Sequence, residues 1–467
     1  MPDTTSLLSY VVPLCATLLI IVGMAGMLHK NRRLQFVSTT ALLAVIGMVS
    51  LYMFLNGLSA IIMDSLAVYQ FSMFFVLLFS TALILVNLLS YGHSNDYLSF
   101  SMLMGFVAAG MFTVAMAYSL IAILLGIELM SLPTAFMILI NGKHHVEAAM
   151  KLFVLAAISI AMIAFAIALI FPYSPSLLLT SNLVNSGMKG GYLIVLSMLL
   201  FVSGLSFDAS LFPFNLWIPD VYQGAPGNIT ALLAGVNKKV AFVALFEVLF
   251  VVMLPYSPQF SVLFEILAVV TMFFGNMAAL VQENVKRLFA YSAISQAGYI
   301  AIGFAAASQY GSEASIYQIA AHTFMIIGAF AVVLWLEEKN IKDLKDYNGL
   351  ATSNGFAAFT LTIFMLSMIG IPPLMGFIGK FLLFTSAISA GEIILVVIAI
   401  VNSFISVYYY GKVIFAMYAK RPREQMSMDW TVATVAIICM LFVLLLGAYP
   451  QPFINAASIA AGSLSVL

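Results

Sequence analysis

The chain has 467 residues, of which 63% are hydrophobic and 8% are charged, and its mean hydropathy is +1.11. Soluble domains carry about 25% charged residues, so the composition predicts an integral membrane protein with little mass outside the bilayer. The formal net charge is zero, which gives no electrostatic reason to expect a nucleic-acid partner. Cys15 and Cys439 lie in apolar runs and are too few for an iron–sulfur cluster.

Fourteen apolar segments are long enough to span a bilayer, which takes about 20 residues of helix. The N-terminus lacks the basic start of a secretion signal, so the first segment is expected to be retained. The predicted spans lie near residues 6–28, 35–56, 66–90, 99–117, 119–141, 148–171, 190–208, 229–253, 260–281, 288–307, 314–336, 355–386, 392–417 and 430–449, before a short tail.

Basic residues indicate the orientation of these spans. Most of the 18 lysine and arginine residues fall in connections at one end of the predicted bundle, whereas Lys189 falls at the other. By the positive-inside rule, the basic end is expected in the cytoplasm. Both termini are then expected on the non-cytoplasmic side of a multi-pass protein of the plasma membrane.

Two of the predicted spans are interrupted by proline. The seventh breaks at Pro213, and the twelfth breaks at Pro372 and Pro373. Asp208 precedes the first break and Lys380 follows the second. Paired broken helices in two inverted halves indicate an ion site near the middle of the membrane, although two unrelated proline kinks would give the same pattern.

The breaks suggest a division of the chain into four parts. Three N-terminal spans occupy 1–98, a first inverted repeat 99–253, a second inverted repeat 254–418, and a C-terminal helix with its tail 419–467.

Ionisable residues within the spans are the candidates for function. A charge at the centre of a lipid-exposed helix costs at least about 2.5–3.5 kcal/mol, so these side chains should face other helices or water. Lys238 and Lys239 are adjacent and about 100° apart on a helix, so we expect one of them to face the pathway. Buried lysine can be tuned to bind and release protons near neutral pH, which arginine cannot.

Other ionisable residues have open interpretations. Glu128 is mid-span without a basic neighbour, so its partner is expected on another helix, and Glu147 and Lys151 have the i,i+4 spacing of an ion pair. His322 fits a proton relay because histidine titrates near neutral pH, but a lone histidine in a helix is more often packed or hydrogen-bonded.

For Glu247 and Glu265, a relay and a packing role both remain open, whereas the deep position of Lys380 favours a relay.

Motifs for covalent chemistry are missing from the sequence. We find no nucleotide-binding loop, dinucleotide fingerprint or nucleophile–base motif. His144 and His145 are a minor metal candidate in a predicted loop, and we expect no metal, cofactor or catalytic redox site in this chain.

Eight strings carry a resemblance to a known family: LLGIELMSLP, EAAMKLFVLAA, FPFNLWIPDVYQGAP, VKRLFAYSAISQAGYIAIG, IGAFAVV, DLKDYNGL, MLSMIGIPPLMGFIGKF and NSFISVYYYGKVIFAMY. In their order and spacing they resemble the antiporter-like subunit N of complex I-type proton-pumping dehydrogenases. That family includes respiratory NADH:quinone oxidoreductase and its archaeal deazaflavin-dependent relatives.

The resemblance implies an all-α polytopic protein with about 14 transmembrane helices, two inverted five-helix repeats, and broken helices 7 and 12. It also implies proton translocation driven by redox chemistry in other subunits, where flavin and iron–sulfur clusters are expected. The partners would be other membrane subunits, the lipid bilayer, protons and internal water. By position, the implied proton relay contains Glu128, Lys151, Asp208, Lys238, His322 and Lys380.

Two residue patterns depart from the family. Asp208 stands where the family has lysine, in a GLxFK pattern that reads GLSFD, and PGN replaces PTP after Ala225. Glu128 and Asp208 would then be two carboxylates across neighbouring helices, and we hypothesise that Lys151 or Lys238 supplies the compensating charge.

Two alternatives are kept beside the redox-driven pump. One is a subunit of a multisubunit Na⁺/H⁺ antiporter, and the other is a structural membrane scaffold whose buried charges only hold helices together.

Overall fold

The computed structural model describes residues 8–140, 145–180, 191–419 and 424–464. His144 and Lys189 therefore lie outside the described residues. In chain order the helices are α1 Val11–His29, α2 Arg32–Leu55, α3 Gln70–His93, α4 Tyr97–Ala115, α5 Leu120–Ile140, α6 Val146–Ile170, α7 Gly191–Ala209, α8 Ile218–Gly224, α9 Gly227–Leu232, α10 Lys238–Phe246, α11 Ser257–Leu280, α12 Val285–Ala305, α13 Gln309–Glu338, α14 Leu350–Ser353, α15 Gly355–Ile369, α16 Met375–Ser389, α17 Ile393–Tyr418, α18 Trp430–Ala448 and α19 Gln451–Ser463.

Within the described residues, 12 helices are long and apolar enough to cross a membrane. They are α1 to α7, α11 to α13, α17 and α18, and the 3₁₀ turn Leu254–Tyr256 extends α11 at its start. The prediction of an all-α polytopic membrane protein is thus confirmed. The shorter helices α15 and α16 are also apolar.

A small β-hairpin marks one end of the bundle. Strands β1 (Ala60–Ile62) and β2 (Leu66–Val68) pair antiparallel between α2 and α3. An isolated bridge joins Leu66 to Ala117, and Ser119 in turn bridges to Leu178. Three helix connections therefore meet here, and we call this end of the molecule the hairpin end.

The opposite end carries the basic connections. Asn284 and Asp343 form an isolated bridge between the α11–α12 and α13–α14 connections. Close by, Lys286 pairs with Glu337 at 3.0 Å. We call this the basic end.

Helices α12 and α13 form the centre of the bundle. In their most apolar 18-residue stretches, 94% and 100% of the residues are buried, against 33% in the peripheral helices α1 and α6. They approach closely at two glycines, because a Cβ on Gly303 would lie 2.2 Å from the carbonyl oxygen of Gly311. Small residues at such crossings let helix backbones pack together in membranes.

Both predicted proline breaks are present. Helix α7 ends at Ala209, four residues before Pro213, and α8 begins at Ile218. Helix α15 ends at Ile369, where Gly370 has the left-handed φ of 99° that glycine tolerates best, and α16 begins at Met375. Each break leaves helix-terminal backbone groups inside an apolar bundle.

A second kind of irregularity had no signal in the sequence. The run from Gly227 to Val252 contains two π-helical segments, π1 (Leu233–Asn237) and π2 (Glu247–Val252), on either side of α10. Single π turns within α-helices occur frequently at functional sites. Each of these two segments borders ionisable residues.

Candidate functional site

Lys238 and Lys239 begin α10 directly after π1, and both are buried. Lys239 Nζ donates to the carbonyl oxygen of Ala234 in π1 at 3.0 Å and lies 2.6 Å from His322 Nδ1 on α13. Lys238 Nζ donates to the carbonyl oxygen of Ala293 on α12 at 2.5 Å. Both lysines are buried because α10 is enclosed by other helices on every side, and the expectation that one of them faces the proton pathway stays a prediction.

The contact with His322 adds Lys239 to the site. Sequence position favours Lys238, whereas the structure places the ammonium of Lys239 on the imidazole of a fully buried histidine. His322 Nε2 has no hydrogen-bond partner among the described residues. The pair can exchange a proton directly, since 2.6 Å is within hydrogen-bond distance.

Lys380 lies at the second break. Its Nζ donates to the carbonyl oxygen of Ile369, the last residue of α15, at 2.9 Å, and to Ser403 Oγ at 3.0 Å. It also sits 4.3 Å from the ring centroid of Tyr299. A cation at the C-terminus of a half-helix interacts favourably with the helix dipole. The end of α15 at the break therefore stabilises the positive charge of Lys380.

A buried amide pair lies between these two groups. Gln318, one turn before His322 on α13, donates through Nε2 to Gln296 Oε1 at 3.0 Å. Gln296 Nε2 donates in turn to the carbonyl oxygen of Met368, next to Ile369. Gln318 Oε1 has no partner among the described residues. Polar side chains therefore lead from His322 towards the ammonium group of Lys380.

Asp208 lies one residue before the end of α7 and is 8% exposed. Its Oδ2 makes no hydrogen bond to any described residue. Burying an ionised carboxylate without a partner costs free energy. Asp208 at the first break therefore differs from Lys380 at the second, whose ammonium group reaches a helix-terminal carbonyl oxygen.

The structure does not support Lys151 as the compensating charge for Asp208. Lys151 Nζ pairs with Glu147 at 2.7 Å, which confirms the predicted i,i+4 pair, and with Asp220 at 2.8 Å. Asp220 also accepts from Arg287 at 2.7 Å. Lys151 therefore belongs to an ion-pair cluster at the basic end, which the sequence did not reveal because Asp220 is remote in the chain.

Asp220 is more acidic than an ordinary aspartate. The hydrogen bond from Lys151 is the main cause that lowers the pKa of Asp220, and the hydrogen bond from Arg287 lowers the pKa further, against partial desolvation.

Glu128 points outward. It is exposed on α5, in a surface groove with the apolar Leu125, Leu132 and Phe136. Its expected partner on another helix is not found among the described residues of this chain, and no buried pair with Asp208 forms. The role assigned to Glu128 stays a prediction.

Two clusters of ionisable groups were missed because their members are far apart in sequence. Glu247 in π2 accepts from Tyr69 at the start of α3. His93 lies 2.7 Å from Glu338 and 3.9 Å from Asp429, and so ties the ends of α3, α13 and α18. His145, half of the minor metal candidate, donates to the carbonyl oxygen of Gly224.

Residues 117–406 match the family described as NADH:quinone oxidoreductase/Mrp antiporter, TM. The chain belongs to this family. Among its relatives is F(420)H(2) dehydrogenase subunit N of Methanosarcina mazei, 36% identical over 85% of each chain. NADH-quinone oxidoreductase subunit N of Desulforamulus reducens is 32% identical over 98% of each chain. The family expected from the eight strings is thereby confirmed.

Solved structures agree with this assignment. A chain of respiratory complex I from Thermus thermophilus, with 28% identity, superposes with a TM-score of 0.82 over 96% of this chain and 99% of its own. A chain of the Mrp complex from Dietzia sp. reaches 0.91 over 98% of both chains, at 18% identity. The second likeness concerns the fold alone.

Proposed function

We propose that this chain is a proton-translocating membrane subunit of a complex I-like oxidoreductase. The observation that carries the proposal is the contact of 2.6 Å between Lys239 on α10 and His322 on α13, both fully buried. A buried amine beside an imidazole can hold and pass a proton. Ionisable residues within membrane spans are costly and usually have a function. Relatives at 32–36% identity are dehydrogenase subunits.

The architecture we propose has fourteen spans and two inverted five-helix repeats. The Gly227–Val252 run would be the eighth span, and α15 with α16 the twelfth, in addition to the twelve long helices. The repeats would occupy 99–253 and 254–418, after three spans in 1–98 and before the C-terminal helix and tail in 419–467. The similar placement of the two breaks supports this division.

Within this frame, Lys238, Lys239 and His322 would form the centre of the relay, and Lys380 its end in the second half. Asp208 would act as a buried carboxylate next to the first break. We assign Lys151 to the basic end, where it would receive protons from the cytoplasm. Glu128 faces outward, which suits contact with a neighbouring membrane subunit.

The energy would come from partner subunits. Moving one charge against 100 mV costs about 2.3 kcal/mol, and this chain has no motif for redox chemistry. We therefore assign the flavin and iron–sulfur clusters to other subunits, and the basic end to the cytoplasmic side of the plasma membrane. A change of partner contacts would alter the access of water to the buried lysines and so couple electron transfer to proton movement.

The test uses inverted membrane vesicles of the host with its assembled complex, driven by NADH or reduced deazaflavin. We expect Lys238→Met and Lys239→Met to keep subunit content but lower the number of protons taken up per electron. Lys342→Met, an exposed lysine at the basic end, is the matched control and should behave as wild type.

Each alternative predicts a different result. A scaffold would lose assembled complex in the lysine variants while the remaining complex pumped normally. A cation antiporter subunit would exchange Na⁺ for H⁺ in vesicles and would co-purify without a hydride-accepting flavoprotein.

A further inference from the structure

Glu247 is a fully buried carboxylate that the relay described above does not use. It opens π2, directly after α10, and has no exposed surface. Its Oε1 accepts from the hydroxyl of Tyr69 at 3.4 Å, a long hydrogen bond, and its Oε2 has no partner among the described residues. Burying an ionised carboxylate without a cation costs several kcal/mol.

Charged groups do not explain the position of Glu247. Within the described residues it forms no ion pair, and Tyr69 is the titratable side chain in contact with it. A group that only served packing would be replaceable by an apolar residue at a gain in stability. A carboxyl that is neutral while it holds a proton, and charged only briefly after releasing it, avoids most of the cost.

The location of Glu247 relates it to the relay. Lys239, Val243 and Glu247 follow at i, i+4 and i+8, and so share one face of the helix. The axial rise from Lys239 to Glu247 is about 12 Å, in the direction of the hairpin end. Tyr69 follows β2 of the hairpin directly. Glu247 therefore lies between the Lys239–His322 pair and the hairpin end.

Aromatic side chains flank Glu247, because Phe246 directly precedes it and Phe250 follows it by three residues. The ring of Phe246 lies 4.4 Å from that of Phe304 and 5.7 Å from that of Phe71, and Phe250 packs 5.8 Å from Phe304. These rings exclude water while they are packed together, since hydrophobic constrictions gate by dewetting. A proton would pass only when these side chains separate enough to admit a chain of water.

We propose that Glu247, oriented by Tyr69, is a proton-release site among these aromatic side chains, on the way from the Lys239–His322 pair to the hairpin end. The Glu247 carboxylate takes a proton through water from the protonated Lys239–His322 pair, which is left neutral. The resulting carboxylic acid then gives the proton to water at the hairpin end and returns to a carboxylate. This inference rests on the proposed function and specifies where the first half releases its proton.

The test compares three substitutions in the native complex. Glu247→Gln keeps the shape and a hydrogen-bond acceptor for Tyr69 but cannot take up a proton. We expect normal subunit content, and proton release through this chain slowed about 100-fold, with fewer protons per electron. Glu392→Gln, at a partly buried carboxyl directly before α17, is the matched control. Tyr69→Phe should give an intermediate defect because the carboxyl remains but loses the hydrogen bond that it accepts from Tyr69.

A second readout separates a proton site from a structural one. Infrared difference spectra between resting and donor-driven complex should contain a carboxylic-acid C=O band that disappears in Glu247→Gln and shifts in Tyr69→Phe. Normal pumping in Glu247→Gln with no change in that band would overturn the inference. If Lys239→Met also pumped normally, the proposed function itself would fail, so the two failures are distinguishable.

Discussion

Lys239 and His322 act as one unit in this structure, because each is the nearest ionisable partner of the other inside an apolar bundle. Removing either partner leaves the other buried without this contact. Residues in contact show non-additive effects, whereas distant and independent residues add.

We therefore expect His322→Gln to lower the number of protons taken up per electron in the wild-type background but to have no further effect in Lys239→Met. The measurement is proton uptake by inverted vesicles at a fixed rate of electron transfer. In a Lys342→Met background, His322→Gln should retain its full effect. Equal effects of His322→Gln in all three backgrounds would show that the contact has no functional part.

Asp220 carries a pH-dependent contribution at the basic end. The hydrogen bond from Lys151, with that from Arg287, lowers the pKa of Asp220. A group whose folded pKa is lowered stabilises the protein above its unfolded pKa, and that stability is lost as pH falls through the folded value. The unfolded value for aspartate is about 3.9.

Asp220→Asn is thus expected to destabilise the assembly by about 1 kcal/mol at neutral pH, as for partly exposed ion pairs. The difference from wild type should stay constant down to about pH 4 and shrink below it. Thermal unfolding of the solubilised complex between neutral and acidic pH measures this. Asp64→Asn, at an exposed residue of the hairpin turn, should show no such trend.

At the scale of single residues, the sequence identified the buried lysines and His322 because charges stand out in apolar spans. It favoured Lys238 by position and missed the contact of Lys239 with His322, since that contact depends on π1 and on which helix packs against each side chain. The sequence predicted the pair of Lys151 with Glu147 but not its pair with Asp220, because Asp220 approaches only after α8 folds back towards α12.

At the scale of elements, the two breaks were predictable and their packing was not. Proline removes a backbone donor and disfavours a helical conformation in the preceding residue, so Pro213, Pro372 and Pro373 located both interruptions. The close contact between α15 and α16 follows from tertiary structure: Gly376 N donates to Ser367 Oγ at 3.0 Å. A Cβ on Gly376 would lie 2.0 Å from the Ser367 carbonyl oxygen.

Gly376→Ala is therefore expected to separate α16 from α15 and to disturb the hydrogen bond of Lys380 to the carbonyl oxygen of Ile369. Overpacking typically costs about 1–3 kcal/mol, and here the colliding atom belongs to the backbone and cannot rotate away. We expect a lower midpoint of thermal unfolding and less assembled complex. Gly411→Ala on α17, where a new Cβ meets no atom within 4 Å, should be neutral or slightly stabilising. Equal stability of the two variants would refute the close contact.

At the scale of the whole molecule, the two ends of the bundle differ in charge and in structure. The basic end collects Lys286, Arg287 and Lys342, and the hairpin end carries Met63, which is 81% exposed. Composition and loop charge predicted this polarity without any knowledge of packing. The buried centre formed by α12 and α13 was not predicted. Both sequences are typical of ordinary apolar spans, and hydropathy hardly distinguishes a helix buried among other helices from one that faces lipid.

The difference in charge between the two ends predicts which end faces the cytoplasm. Labelling of single introduced cysteines tests this orientation. Cys15 and Cys439 are buried and should react little with a membrane-impermeable maleimide. In the orientation that we propose, with the hairpin end outside, Met63→Cys should be labelled in intact cells, whereas Lys342→Cys should be labelled only in inverted vesicles. The opposite pattern would place the basic end outside the cell. Proton release past Glu247 would then run into the cytoplasm, and the direction of pumping proposed for this chain would be wrong.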